Sequence, residues 1–221
     1  MLISFSDVVH KHGVKPRGVI HIGAHDAQEF SDYVQNRVQD MIWIEADPTI
    51  ALRLKERFQE LNNVLVFNHA ISDVDNQNLK FFITNNEGMS SSILELGTHK
   101  QLFPGIKVLS EIPVKSKTLD TLVEENNIDL EKYNFLNIDI QGAELLALKG
   151  ASKTLQHIDA VFAEVNTNHV YKGCALMSEI DDYLSTFGFE RIATKMWEDE
   201  WIGIHPWGDA LYKKTIKGNL S

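Results

Sequence analysis

The chain has 221 residues, 43% of them hydrophobic and 24% charged, and its 31 acidic residues outnumber 21 Lys plus Arg for a formal charge of −10. This is the composition of an ordinary soluble globular protein with enough chain for a sizeable core. It weighs against sequence-independent nucleic-acid binding, which depends on neutralising phosphates, and no run approaches the roughly 18 apolar residues of a membrane span.

Taken in order, the predicted elements alternate. "MLISFSDVVHKHGVKPRG" lacks the basic start, apolar run and cleavage site of a signal peptide, so residues 1–17 read as an N-terminal extension. "GVIHIG" (18–23) is a β-branched strand ending in glycine, and 29–38 reads as a helix. "DMIWIEAD" (40–47) is a strand ending in acids. Pro48 then sits where a helix start accepts proline, and apolar residues at 50, 54, 58 and 61 give the helical period. Residues 63–72 read as one further strand, completing β-α-β-α-β, the pattern of a parallel sheet covered by helices.

The middle is less regular. Strands are predicted at 78–84 and 107–117, separated by a long mixed segment, 85–105; loops of that length inside a domain usually carry function. Thr118 is the expected N-cap of a helix over 118–127. Strand 135–140, helix 143–155 broken near Gly150, strand 159–165 and helix 175–188 follow. Strands at 189–197 and 209–215 have no helix between them and are therefore expected to be antiparallel. With no repeat and no low-complexity linker, 1–221 reads as a single domain. Cys174 is the only cysteine, which excludes an intrachain disulfide and points to a reducing, cytoplasmic location.

Ligands of an open α/β sheet bind at the carboxyl ends of its strands. The first strand delivers His21, Gly23, Ala24, His25 and Glu29 there. The second delivers Glu45, Ala46 and Asp47, and the acid 22 positions after Gly23 is placed to accept from both hydroxyls of a ribose. The third delivers Asn68, His69 and Ala70, the fourth Asp139, and the fifth Glu164 and Asn166. A dinucleotide needs a glycine-rich loop against its pyrophosphate. The loop here, G-A-H-D-A-Q, has one glycine, which disfavours a nicotinamide oxidoreductase and favours S-adenosyl-L-methionine, a cofactor without phosphate.

The segment "TLDTLVEENNIDLEKYNFLNIDIQGAELLALKGA" carries a resemblance. Its T-L-D-T-L stretch (118–122), its D-I-Q-G-A-E turn (139–144), the "NHAISD" turn and the serine-rich "GMSSSI" loop are similar to those of the FkbM-type S-adenosylmethionine-dependent methyltransferases. The likeness runs from about Val19 to about Lys214. It implies a class I methyltransferase fold, a Rossmann-like seven-stranded sheet, mostly parallel with one antiparallel strand and helices on both faces. It also implies O-methylation of a hydroxyl, often on a sugar, glycan or secondary metabolite. Two departures stand out. The family's first loop is commonly D-V-G-A-N-x-G, so Gly23 and Ala24 are kept as cofactor-binding and His21 is not. Gln141 replaces the family's usual glutamate.

The resulting expectations are a cofactor site of Gly23, Ala24, His25, Glu29, Glu45, Ala46, Asn68, Ala70 and Asp139, and a catalytic base drawn from Asp139 first, then Glu164 and His169. Asp120 is expected to support the site from a helix. Trp197, Trp201 and Trp207 are expected mainly to pack the final hairpin, and 85–105 to lie on the acceptor side. Two rivals stay open: a metal-assisted catechol-type O-methyltransferase using Asp139, Glu164 and Asn166 around magnesium, and a non-catalytic binding module. The expected partner is a small-molecule or glycan acceptor, with no nucleic acid and no membrane span, and with the oligomeric state open.

Overall fold

The computed structural model describes residues 1–199 and 203–215, so Trp201 lies outside the described residues. The chain runs through α1 (Phe5–His10), β1 (Gly18–Ile22), α2 (Phe30–Gln35), β2 (Asp40–Glu45), α3 (Pro48–Phe58) and β3 (Val64–Asn68). A short strand β4 (Ala70–Ile71), then β5 (Asn78–Thr84), α4 (His99–Leu102) and β6 (Val108–Lys117) form an excursion. The main pattern resumes with α5 (Leu119–Glu125), β7 (Phe135–Ile138), α6 (Glu144–Lys149), β8 (Ala160–Asn166), α7 (Met177–Ser185), β9 (Phe189–Asp199) and β10 (Gly203–Lys214).

Seven strands form one sheet in the order β3-β2-β1-β7-β8-β10-β9. Pairing is parallel from β3 through β8, and β10 runs antiparallel to both β8 and β9. The central strands read as continuous apolar runs because both faces are covered. Side chains alternate between two cores. Ile20, Ile22, Ile44, Leu136, Ile138 and Val161 pack against α5, α6 and α7 through residues such as Leu122, Leu148 and Leu184. Val19, Met41, Trp43, Phe135 and Phe162 face α1, α2 and α3 through Phe5, Val8, Tyr33 and Leu54. The first 17 residues therefore contribute to a core, with Phe5 and Val8 buried.

Local signals placed the helices. Asp47 accepts from the amides of Thr49 (2.8 Å) and Ile50 (3.3 Å), capping α3 with Pro48 in its first turn. Thr118 caps α5 through the Thr121 amide at 3.1 Å. The strand expected over 63–72 is broken at His69. There the Asn68 side-chain amide donates to the carbonyls of Glu45 and Ala46, and the His69 amide also donates to Glu45. These bonds tie the end of β3 to the end of β2, and the chain then leaves to pair with β6 in a separate three-stranded sheet, β4-β6-β5. Among the described residues no helix is long and apolar enough to cross a membrane.

Candidate active site

Two cavities open at the carboxyl ends of the strands. The first has an empty volume of about 1040 Å³ and lies over the ends of β1, β2 and β7. Eight of the nine expected cofactor residues line it: Gly23, Ala24, His25, Glu29, Glu45, Ala46, Ala70 and Asp139. The ninth, Asn68, is absent from the wall and supports it from behind through its bonds to Glu45 and Ala46. The second cavity, with an empty volume of about 940 Å³, is walled by Glu164, Tyr171, the segment around α4 and the β9–β10 hairpin. Met89 and Gln141 belong to both walls, so the cavities meet there.

Gly23 sits where β1 leaves the sheet, at φ +87, and a Cβ there would lie 1.8 Å from the Asp139 carbonyl oxygen. The two strand ends approach so closely that no side chain fits between them. Glu45 is buried and accepts from the amides of His25 and Asp47, each at 2.8 Å, so it fixes the loop after β1 to the end of β2. Burial pushes its carboxyl up, and these two amides oppose the shift. A carboxylate has about four lone-pair sites, so capacity remains for hydroxyl donors from the cavity. His25, at φ +43, donates from Nε2 to the Glu87 carbonyl at 2.9 Å. That bond ties the mixed segment after β5 to the rim, where Gly88, Met89 and Ser91 join the wall.

His21 also reaches the first cavity, but its Nδ1 lies 3.0 Å from the Tyr33 hydroxyl. That hydroxyl accepts from Asn137 at 2.7 Å, which leaves its proton for His21. Burial lowers the His21 pKa to about 4, so the ring is a neutral packed acceptor.

At the junction, Gln141 stands at φ +57, a left-handed conformation that costs a non-glycine residue about 1 kcal/mol. Its side-chain amide donates to Asp139 at 2.8 Å and to Glu164 at 2.9 Å, and its carbonyl accepts from the Tyr171 hydroxyl at 2.6 Å. An amide thus joins two carboxylates; a glutamate there would have added a third negative charge. Burial and repulsion from Asp139, Glu144 and Asp209 push the half-buried Glu164 carboxyl well above the usual range, against the Gln141 bond. Asp139 is also pushed up by burial, but it keeps exposed surface toward the cavity, so that push is partly relieved by solvent.

The remaining expected residues fall elsewhere. His169 lies outside both cavity walls, exposed, with Nδ1 3.0 Å from the Cys174 carbonyl. Asp120 accepts from the amides of Lys153 and Thr154, both at 2.8 Å, and so braces the turn after α6. Asn166 is buried at the end of β8 and lines neither cavity. Among the described residues no group of three His, Cys, Asp or Glu side chains is arranged to hold a metal ion. Sequence reading missed the bridging role of Gln141 and the walls supplied by Met89, His99, Phe103 and Tyr171.

Glu144 is a structural element of the turn. It is 1% exposed and accepts from the amides of Ile140 and Gly142, both at 3.1 Å. Burial, with the Asp139 charge as a further contribution, raises its pKa from 4.5 to about 7. The folded chain therefore holds this proton more tightly than the unfolded chain. The stabilisation is present below about pH 4.5 and is lost as pH rises through about 7. Glu144→Gln keeps an oxygen for both amides and removes the charge. Thermal melts are expected to match wild type at pH 5 and to exceed it by a few degrees at pH 8. A lower melting temperature at pH 8 would show that the carboxylate charge holds the turn.

A mostly parallel seven-stranded sheet with one reversed strand and an acid-rimmed crevice over its switch point is a Rossmann-like architecture, the kind that takes nucleoside cofactors at that crevice. The methyltransferase FkbM domain model matches residues 21–191, and the chain belongs to that family as an S-adenosylmethionine-dependent methyltransferase. A curated relative, 2-O-methyltransferase NoeI of Sinorhizobium fredii, is 27% identical over 176 residues, covering 76% of this chain and 71% of that protein. Among solved structures, M. capricolum TrmK with S-adenosyl-homocysteine aligns with a TM-score of 0.52 at 14% identity, covering 97% of this chain and 70% of that one. Magnesium protoporphyrin IX methyltransferase (ChlM) from Synechocystis PCC 6803 with bound SAM aligns at 0.50 and 10% identity, covering 95% and 76%. At these identities the two structures bear on the fold alone.

Proposed function

We propose that the enzyme transfers a methyl group to a hydroxyl of a sugar, glycan or related small molecule. The observation that carries this reading is the pair of carboxylates, Asp139 and Glu164, held by Gln141 where the two cavities meet. The name of the relative, a 2-O-methyltransferase, supports an oxygen acceptor. Support for the cofactor in the first cavity comes from its wall: Gly23 and Ala24 bring little side chain there, and Glu45 retains acceptor capacity. When bound, S-adenosylmethionine supplies a methyl group already activated on a sulfonium.

The protein's own work is alignment and removal of one proton. Asp139 lines the cofactor side and Glu164 the acceptor side. That placement moves Glu164 ahead of Asp139 as the base. The hydroxyl proton passes to the Glu164 carboxylate as the acceptor oxygen bonds the methyl carbon, giving a methyl ether, the demethylated cofactor and a neutral Glu164. Asp139 holds the Gln141 amide in place. Within this scheme residues 1–221 act as one catalytic domain, with 85–105 contributing to both walls.

The reaction is tested with methyl-labelled S-adenosylmethionine and a panel of glycosides, simple alcohols, amines and activated carbon acids, with label recovered in a base-stable ether as the expected product. Label recovered only on nitrogen or carbon acceptors would remove the proposal. Cofactor placement has its own test. Glu45→Ala is expected to weaken S-adenosylmethionine binding about 10- to 100-fold by calorimetry, the scale of lost hydrogen bonds to a charged group. Equal affinity would remove Glu45 from the cofactor site.

A further inference from the structure

The second cavity contains more than the transfer reaction needs. Phe103 and Trp207 meet edge to face at 5.3 Å. The buried His205 ring stacks on Phe103 at 5.8 Å and meets Trp207 at 4.4 Å. These rings brace one another, so Phe103 and Trp207 present a fixed aromatic wall. Tyr171 is locked by its bond to Gln141. Trp197, on the edge strand β9, is 43% exposed and also lines the cavity. Trp197 and Trp207 were expected to pack the hairpin, yet both face this space.

Polar groups lie among the rings. Glu164 and Asp199 add carboxylates, and Asn86 and Ser90 also reach the wall. His99 is 5% exposed, and its Nδ1 has no hydrogen-bond partner among the described residues. Burial lowers its pKa, which leaves a neutral ring able to exchange a hydrogen bond with a hydroxyl. Binding pockets combine apolar surface with a few placed polar groups that fix orientation. A flat apolar ligand would leave the His99 Nδ1 unanswered, and an anionic one would meet two carboxylates. A pyranose has apolar C–H faces for aromatic rings and hydroxyl donors at its edge for carboxylates.

We propose that this cavity is the acceptor's ring site and takes a neutral pyranoside between Trp207 and Trp197, with one ring hydroxyl directed to Glu164. The assignment rests on the hydroxyl-methylation reading and adds the place and chemistry of recognition. Its continuity with the cofactor cavity through Met89 and Gln141 provides the route for transfer.

The test uses the full chain loaded with S-adenosyl-homocysteine and a panel of methyl hexopyranosides, with catechol as the flat comparison. Saturation-transfer NMR is expected to show glycoside C–H protons against the protein. Trp207→Ala and Trp197→Ala are expected to weaken glycoside binding about tenfold or more, the scale of an aromatic contact covered by its ligand. Trp207→Phe is expected to restore most of it, and cofactor-product affinity by calorimetry to stay unchanged. Because Trp197 is partly exposed, its variant keeps the test valid if Trp207→Ala fails to fold. Glycoside binding intact in both alanine variants, or catechol preferred over every glycoside, overturns the assignment. Tryptophan-dependent glycoside binding with no methyl transfer leaves the ring site standing and overturns the hydroxyl-methylation reading instead.

Discussion

Glu164→Gln is expected to lower turnover about 10²- to 10⁴-fold, the range for loss of a general base. Cofactor affinity by calorimetry is expected to fall only by the small factor that the lost charge implies, because Glu164 lies outside the first cavity's wall. Glutamine preserves size and can still pair with Gln141, so the loss reports chemistry rather than collapse. The pH profile provides the sharper readout. The base must be a carboxylate, so wild-type activity falls as pH drops through its pKa. Burial and the nearby acids place that limb above the usual carboxylate range. A cation bound beside these acids favours their charged forms. The limb in kcat, which reports the loaded enzyme, is therefore expected at lower pH than the limb in kcat/KM for the cofactor, which reports the free enzyme. Asp139 and Glu164 share Gln141, so the limb belongs to the pair. Wild-type turnover in Glu164→Gln, with collapse in Asp139→Asn, would return the role to Asp139.

The sheet was legible because its central strands are buried on both faces. Largely apolar runs buried at every position, such as "VIHI" and "FLNI", end in glycine or acid at the cavity, and that ending marks the site. The reversed last pair was legible because no helix separates its strands. Less legible features depend on tertiary geometry. Gln141 reaches both carboxylates because its backbone is left-handed, which no periodicity signals. Trp197 and Trp207 face the cavity because of the hairpin's register, which shifts between Ile204 and Gly208. His99 and Phe103 sit in a segment without period, anchored by contacts such as the Thr98 amide with the His169 carbonyl. That same contact accounts for the position of His169: its backbone braces the second cavity's wall while its ring pairs with the Cys174 carbonyl and lines neither cavity.

Gly23→Ala is expected to damage fold and site together. The new Cβ meets the Asp139 backbone carbonyl at 1.8 Å, and a backbone atom there cannot rotate away. Relief requires β1 and β7 to part, which endangers the bond from the Asp139 amide to the Ile22 carbonyl at 3.0 Å. It also moves the Gly23 amide off the Ile44 carbonyl, now at 2.9 Å. The left-handed backbone adds about 1–2 kcal/mol for an alanine. A total of about 4 kcal/mol or more is expected, in the range reserved for a clash that cannot relax. For a chain of this size that lowers the melting temperature by roughly 10 °C. Cofactor binding should fall below detection in calorimetry, because the displaced atoms belong to Gly23 and Asp139, both in the cavity wall. Gly173→Ala is the matched control. Its φ is +73, but nothing lies within 4 Å of its Cβ position. It should show the backbone penalty alone, with cofactor affinity unchanged. If Gly23→Ala melts like Gly173→Ala and still binds cofactor, the close approach of β1 and β7 is not what shapes the site. If only Gly23→Ala loses binding, one steric contact between two strand ends sets both the sheet's central pairing and the floor of the cofactor cavity.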